Sequence, residues 1–229
     1  LTAWEIQGLK FNEGDDCRLE ISIPDMLLDS SALSNIQLPD PILYNYYKNL
    51  DDRIVWIDYE IEADRLLDAT RNILRWNKED RENGRHADGT AKSIKLLIFS
   101  GGGEIEATYN FINICELSKT PIYTFNMGTS MSAALLILLA GHKRYGLHCS
   151  RAMIHSGSGG AAGTYEQVEA ATQDYKKLVV YMRDYILRKT KIDQKTLNKY
   201  KDKDWYLYVE DQVKYGVIDS VIEDIYDLI

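Results

Sequence analysis

Cysteine is scarce in this chain: Cys17, Cys115 and Cys149 are the only three in 229 residues. Their odd number and wide spacing exclude a disulfide framework and are read as free thiols. No Cys-x-x-Cys pair and no histidine-rich cluster suggests a metal site, so neither metal nor cofactor is expected. Basic residues are outnumbered, 27 Lys and Arg against 35 Asp and Glu, for a net charge of −8. That balance argues against nucleic acid as a main partner, because phosphate binding needs a basic face. The longest apolar run is eight residues, Ala133 to Ala140, too short to span a membrane. The acidic start, LTAWEIQGLKFNEGDD, lacks a basic-then-apolar leader, and the expected compartment is the cytoplasm. What remains is an ordinary globular composition, 45% hydrophobic and 27% charged, with length enough for one sizeable core.

Residues 1–39 show no clear period and are read as an N-terminal arm, leaving 40–229 as the main domain. Asp51 to Asp58 reads as a buried strand and Glu60 to Trp76 as an amphipathic helix. Asn77 to Ser93, NKEDRENGRHADGTAKS, is polar and glycine-bearing, which predicts a solvated loop. A rhythm follows. IKLLIFS (Ile94 to Ser100) predicts a strand, GGG a turn, Glu104 to Ser118 a helix and PIYTFN (Pro121 to Asn126) a second strand. The apolar run then predicts a helix buried on all sides. Short strands are expected near Tyr145 and at Ala152 to His155. Strands alternating with helices imply an α/β class with parallel pairing, whose sites gather at the carboxyl ends of strands.

The triple glycine and the turn GTSMS both fall at such ends. Ser132 stands at the entrance of the buried helix and has two readings. It is a plain N-cap, or the helix holds its hydroxyl toward a substrate. In the second reading the first N–H groups of the helix, Ala133 foremost, face a developing oxyanion, with Gly102 and Gly103 able to bring up further donors. The glycines read equally as a tight turn. His155 ends an apolar stretch and precedes SGSGGAAG, a better place for a general base than that of His86, His142 or His148, though by itself it reads equally as a structural histidine. Chemistry alone cannot choose a third member among 35 acidic residues. Val168, Ala171, Tyr175, Leu178, Met182 and Tyr185 recur at a period of about 3.5 along Thr164 to Arg188. Such a seam suits an internal core contact or a contact between subunits.

These residues together resemble the Clp protease proteolytic subunit (ClpP-like) family, from about Asp40 to Ile222. ILYNYYKNLDDRIVWID is similar to its entry into the first core strand. FSGGG resembles its Ser-Pro-Gly-Gly turn with Gly101 in place of proline, and NMGTSMSAALLILLAG its nucleophile segment. SRAMIH resembles its histidine strand, GGAAGTYEQVEAATQDYKKL its glycine-rich loop and long helix, and DKDWYLYVEDQVKYGVIDSVIEDI its C-terminal block. The resemblance implies a ClpP/crotonase-like α/β fold of repeated β-β-α units with a projecting handle helix at about 164–188. It implies Ser132 as nucleophile, His155 as base, Asp204 as orienting carboxylate, and Gly103 and Ala133, beside Gly102, as the oxyanion hole. Ser130, followed by Met131, is the competing nucleophile. Ser132 is preferred because it places the length difference in the GHKRY loop rather than in the catalytic turn.

The same resemblance implies a serine endopeptidase of polypeptides or peptides, working inside stacked heptameric rings, with a separate ATP-dependent unfoldase as partner. Residues 1–39, the long 77–93 segment and Lys203, where arginine is usual, depart from the family pattern. A catalytically silent ring subunit and an acyl-CoA-handling enzyme of the crotonase fold are the rival readings.

Overall fold

The computed structural model describes residues 40–228; the expected N-terminal arm and Cys17 lie outside them. In chain order the elements are α1 (Pro41–Asp51), β1 (Ile54–Ile57), α2 (Ala63–Glu82), α3 (Arg85–Asp88), β2 (Ile94–Ser100) and α4 (Ile105–Leu117). Then come β3 (Ile122–Met131), α5 (Ala133–Ala140), β4 (Lys143–Gly146), β5 (Arg151–Ile154) and α6 (Tyr165–Lys189). The chain closes with α7 (Gln194–Lys199), β6 (Trp205–Tyr208), α8 (Val209–Lys214), β7 (Ser220–Val221) and a 3₁₀ turn at Ile225–Asp227. The fold is mixed α/β, as expected, and among the described residues it is built on one seven-stranded sheet, β1-β2-β3-β4-β7 with β5 beside β3 and β6 beside β5. Its pairs are parallel except β5–β6, which is antiparallel. Among the described residues no helix is long and apolar enough to cross a membrane.

The feature that positions everything else is a fork in β3. Its first half, Tyr123 to Asn126, pairs with β4, and its second half, Thr129 to Met131, pairs with β5. The register against β2 slips between Ile98↔Asn126 and Ser100↔Ser130. Gly128 sits at the bend with φ 139°, a conformation that side-chain-bearing residues rarely adopt. The second strand therefore runs five residues past Asn126, and most of the expected GTSMS turn is strand. Composition could not show this, because the extension depends on finding β5 as a new partner.

All eight residues of α5 are buried, each leucine and isoleucine contributing about 2 kcal/mol by leaving water. In α6, Thr164 and Gln167 form a reciprocal capping box. Its seam divides: Met182 and Tyr185 are in the core, whereas Ala171 is exposed, and from Tyr165 to Asp174 only Val168 is even partly covered.

The expected loop Asn77 to Ser93 needs correction. The helix α2 continues through Glu82, and Asp80 within it is fully buried. Both carboxylate oxygens of Asp80 meet the Arg53 guanidinium, at 2.6 and 2.7 Å, and Arg85 and the Thr120 hydroxyl donate at 3.1 and 2.7 Å. A local reading saw only charge and glycine; the burial comes from an arginine 27 residues upstream.

Candidate active site

Ser132 follows β3 directly, and its N–H donates to the Met153 carbonyl at 2.9 Å, so the ladder with β5 runs up to it. Its backbone then turns sharply, with φ 52° and ψ −122°. Such a conformation costs a non-glycine residue about 1–3 kcal/mol and persists only where the surroundings enforce it. The enforcement comes from β5 on one side and α5 on the other. Ser132 occupies the N-cap position of α5, yet its side chain makes no capping hydrogen bond. The plain N-cap reading is thus corrected. The hydroxyl instead lies 2.7 Å from Nε2 of His155.

His155 follows the last residue of β5, and Asp204 precedes the first residue of β6. The antiparallel register pairs Ile154 with Trp205, which brings the next residues on, His155 and Asp204, side by side. His155 Nδ1 stands 3.6 Å from Asp204 Oδ1, too long for a hydrogen bond and short enough for an ion pair with a charged imidazole. The Asp204 side chain is 52% exposed and that of His155 21%.

Sequence reasoning missed the residues that hold this pair of strands. Asn126, at the β3 fork, donates to the Arg151 carbonyl and to Gln212 Oε1, while its own Oδ1 accepts from Gly128 N–H. Gln212 in turn donates to the carbonyls of Ser150 and Leu207. Both amides are fully buried, so one satisfied polar network ties β3, β5 and β6 together. Trp205, next to Asp204, stacks on Tyr200 at 4.2 Å and meets Tyr215 edge-on at 5.2 Å. The local signal was an asparagine, a residue that strands disfavour, in the middle of β3.

The glycines sit against the same serine. A Cβ on Gly102 would lie 2.8 Å from Ser132 Cβ, and one on Gly103 only 2.2 Å from the Ile61 carbonyl oxygen. Ile61 N–H donates to the Gly102 carbonyl and Glu104 N–H to the Ile61 carbonyl, both at 2.8 Å, so the turn is clamped. Gly102 N–H donates to Ser100 Oγ at 3.2 Å and is already engaged. The N–H groups of Gly103 and Ala133 have no acceptor among the described residues. The donors available to a ligand therefore narrow from the three expected positions to those two.

A cavity of about 580 Å³ opens over Ser132, His155 and the glycines, with Met153, Leu178 and Met182 giving it an apolar side. Ser130 does not reach it. That residue is fully buried within β3, between Ser100 and Ala152, and its hydroxyl has no partner. The other histidines have separate engagements: His142 Nδ1 accepts from Ile122 N–H, and His86 and His148 face Thr120 and Glu223. Among the described residues no group of His, Cys, Asp and Glu is arranged to hold a metal ion.

Comparison with known proteins identifies the family. The family model for Clp protease matches residues 42–225. The ATP-dependent Clp protease proteolytic subunit of Deinococcus radiodurans is 28% identical over 180 residues, covering 78% of this chain and 84% of that protein. The ATP-dependent Clp protease proteolytic subunit 2 of Treponema denticola is 32% identical over 139 residues, 60% of this chain and 70% of that one. With a serine held at a helix mouth against a histidine, and a family match over most of its length, the chain belongs to the Clp protease family.

Proposed function

We propose that this protein is a serine endopeptidase that hydrolyses peptide bonds of unfolded polypeptides or peptides through Ser132, His155 and Asp204. The observation that carries the reading is the direction of the Ser132 hydroxyl: 2.7 Å from His155 Nε2, not turned into its own helix. With the imidazole proton on Nδ1 toward Asp204, Nε2 is free to take the serine proton as Oγ attacks the substrate carbonyl. The oxyanion that forms receives the N–H groups of Gly103 and Ala133, an interaction worth about 10²–10³ in rate for each donor. The imidazolium then protonates the leaving amine, the acyl group stays on Ser132 Oγ, and water repeats the cycle to free the acid.

Family membership supports the rest of the reading. The chain works in the cytoplasm as a ring-forming homo-oligomer, with heptameric rings stacked around the sites, the exposed part of α6 contributing to the assembly, and an ATP-dependent unfoldase as partner.

One observation favours a second reading, a catalytically weak or silent ring subunit. Asp204 is half exposed and stands 3.6 Å from His155. Intact-mass measurement after a fluorophosphonate probe decides between the two. A single adduct, absent from Ser132→Ala, is the expected result; no adduct on the assembled protein overturns the proposal.

A further inference from the structure

Building on the reading of Ser132 and His155 above, we infer that Tyr175 is a positioning residue that sets the imidazole through the backbone of Ser156. The 3.6 Å gap to Asp204 leaves the His155 ring without a close hydrogen bond on its Nδ1 side. Its placement must then rest on the main chain that carries it. On one side that chain is a strand, β5. On the other it is SGSGGAAG, a segment with no ladder of its own and little apolar burial.

The first residue of that segment is held from two directions. The phenol of Tyr175, in the third turn of α6, donates to the Ser156 carbonyl at 3.1 Å. The Ser156 hydroxyl donates to the Lys201 carbonyl at 2.6 Å, in the turn that leads to Asp204. One residue therefore joins α6, the end of the histidine strand and the approach to the aspartate. The loop is also shaped to the ring. A Cβ on Gly157, where φ is 82°, would lie 2.5 Å from the Tyr175 oxygen, and one on Gly159 would lie 3.3 Å from the ring. Glycines occupy the positions where the chain passes over the tyrosine.

The phenol touches no reacting atom; it fixes where Nε2 stands relative to Ser132 Oγ. Removing it while keeping the ring loosens the loop without emptying the cavity wall that Tyr175 helps to form.

The test is Tyr175→Phe in the full chain, followed by the rate of fluorophosphonate labelling and by kcat and KM on a fluorogenic peptide. Labelling rate and kcat are expected to fall about tenfold, the worth of one hydrogen bond, with KM within about twofold. The urea midpoint and assembly state serve as controls and are expected to stay near those of the wild type. Combining Ser156→Ala with Tyr175→Phe is expected to cost less than the product of the two single losses, because both act through one residue. Labelling of Tyr175→Phe at the wild-type rate, or a loss matched by lost folded protein, overturns the inference while leaving Ser132 and His155 in place. A wild type that forms no adduct removes the serine-peptidase reading, and the tyrosine's role with it.

Discussion

Ser132 and Ser130 are two residues apart on one strand end, yet the first lies 2.7 Å from His155 Nε2 and the second is fully buried with its hydroxyl unpartnered. Their alanine variants are therefore expected to diverge. Ser132→Ala loses the fluorophosphonate adduct with its urea midpoint nearly unchanged. Ser130→Ala keeps the adduct and is stabilised by about 1 kcal/mol, since an unsatisfied hydroxyl leaves the core. Loss of labelling in Ser130→Ala alone would move the nucleophile.

The imidazole sits 2.7 Å from the serine, but its carboxylate stands off, and the kinetics of the two should differ accordingly. His155→Ala is expected to lower kcat/KM by about 10⁴ or more, as removal of a general base does. Asp204→Ala should cost only about 10–100-fold, because the carboxylate stands 3.6 Å away and is half in water. Equal losses in a fluorogenic-peptide assay would mean that Asp204 closes on His155 in the working state.

The three consecutive glycines make a graded series. A Cβ on Gly101 meets open space, so Gly101→Ala should retain activity within about twofold. At Gly103 the added carbon would stand 2.2 Å from a backbone oxygen, which forces the Ile61 clamp apart. Soluble yield and peptidase rate should both collapse for Gly103→Ala; a well-folded, active variant would show that the clamp is dispensable.

Acid should weaken the fold through Asp80. Burial acts to raise its carboxyl, but hydrogen bonds from Arg53, Thr120 and Arg85 outweigh that and hold it well below the usual carboxylate range. The stabilisation is complete above the unfolded value of about 4 and drains away as pH falls toward the lower folded value. Asp80→Asn, which leaves the Arg53 charge buried, is expected to lose about 3–5 kcal/mol at neutral pH and to show a shallower acid limb. Urea midpoints from pH 7 to 3 give the comparison, and parallel slopes in both proteins would refute it.

Thiol chemistry offers a check on burial. Burial pushes the Cys115 thiol far up, whereas Cys149 is exposed. Iodoacetamide at pH 8 should modify Cys149 and spare Cys115 in the native protein, read by peptide mass. Early modification of Cys115 would contradict the core packing around α4.

The elements that a sequence shows well are those written in short-range pattern. The eight apolar residues of α5 and the alternation of strands and helices belong to that group. Features set by distant partners were not visible. Asp80 reads as one more loop charge until Arg53 is placed beside it, and the strand past Asn126 needs β5 to pair with. Asp204 could be named only through family resemblance, because what sets it apart from other carboxylates is the β5–β6 register. The long gap to His155, and the tyrosine over the glycine-rich loop, left no mark in composition.

A helix with no face toward water has nowhere to go. Any tilt of α5 would drag eight packed side chains out of register at once, so the serine half of the site has no inexpensive second position. The histidine half is made differently: a four-residue strand, a run of glycines and a carboxylate half in solvent. If this site is ever switched off without unfolding, by heat, dilution or a binding partner, the hinge lies on the imidazole's side, and the serine waits where it was.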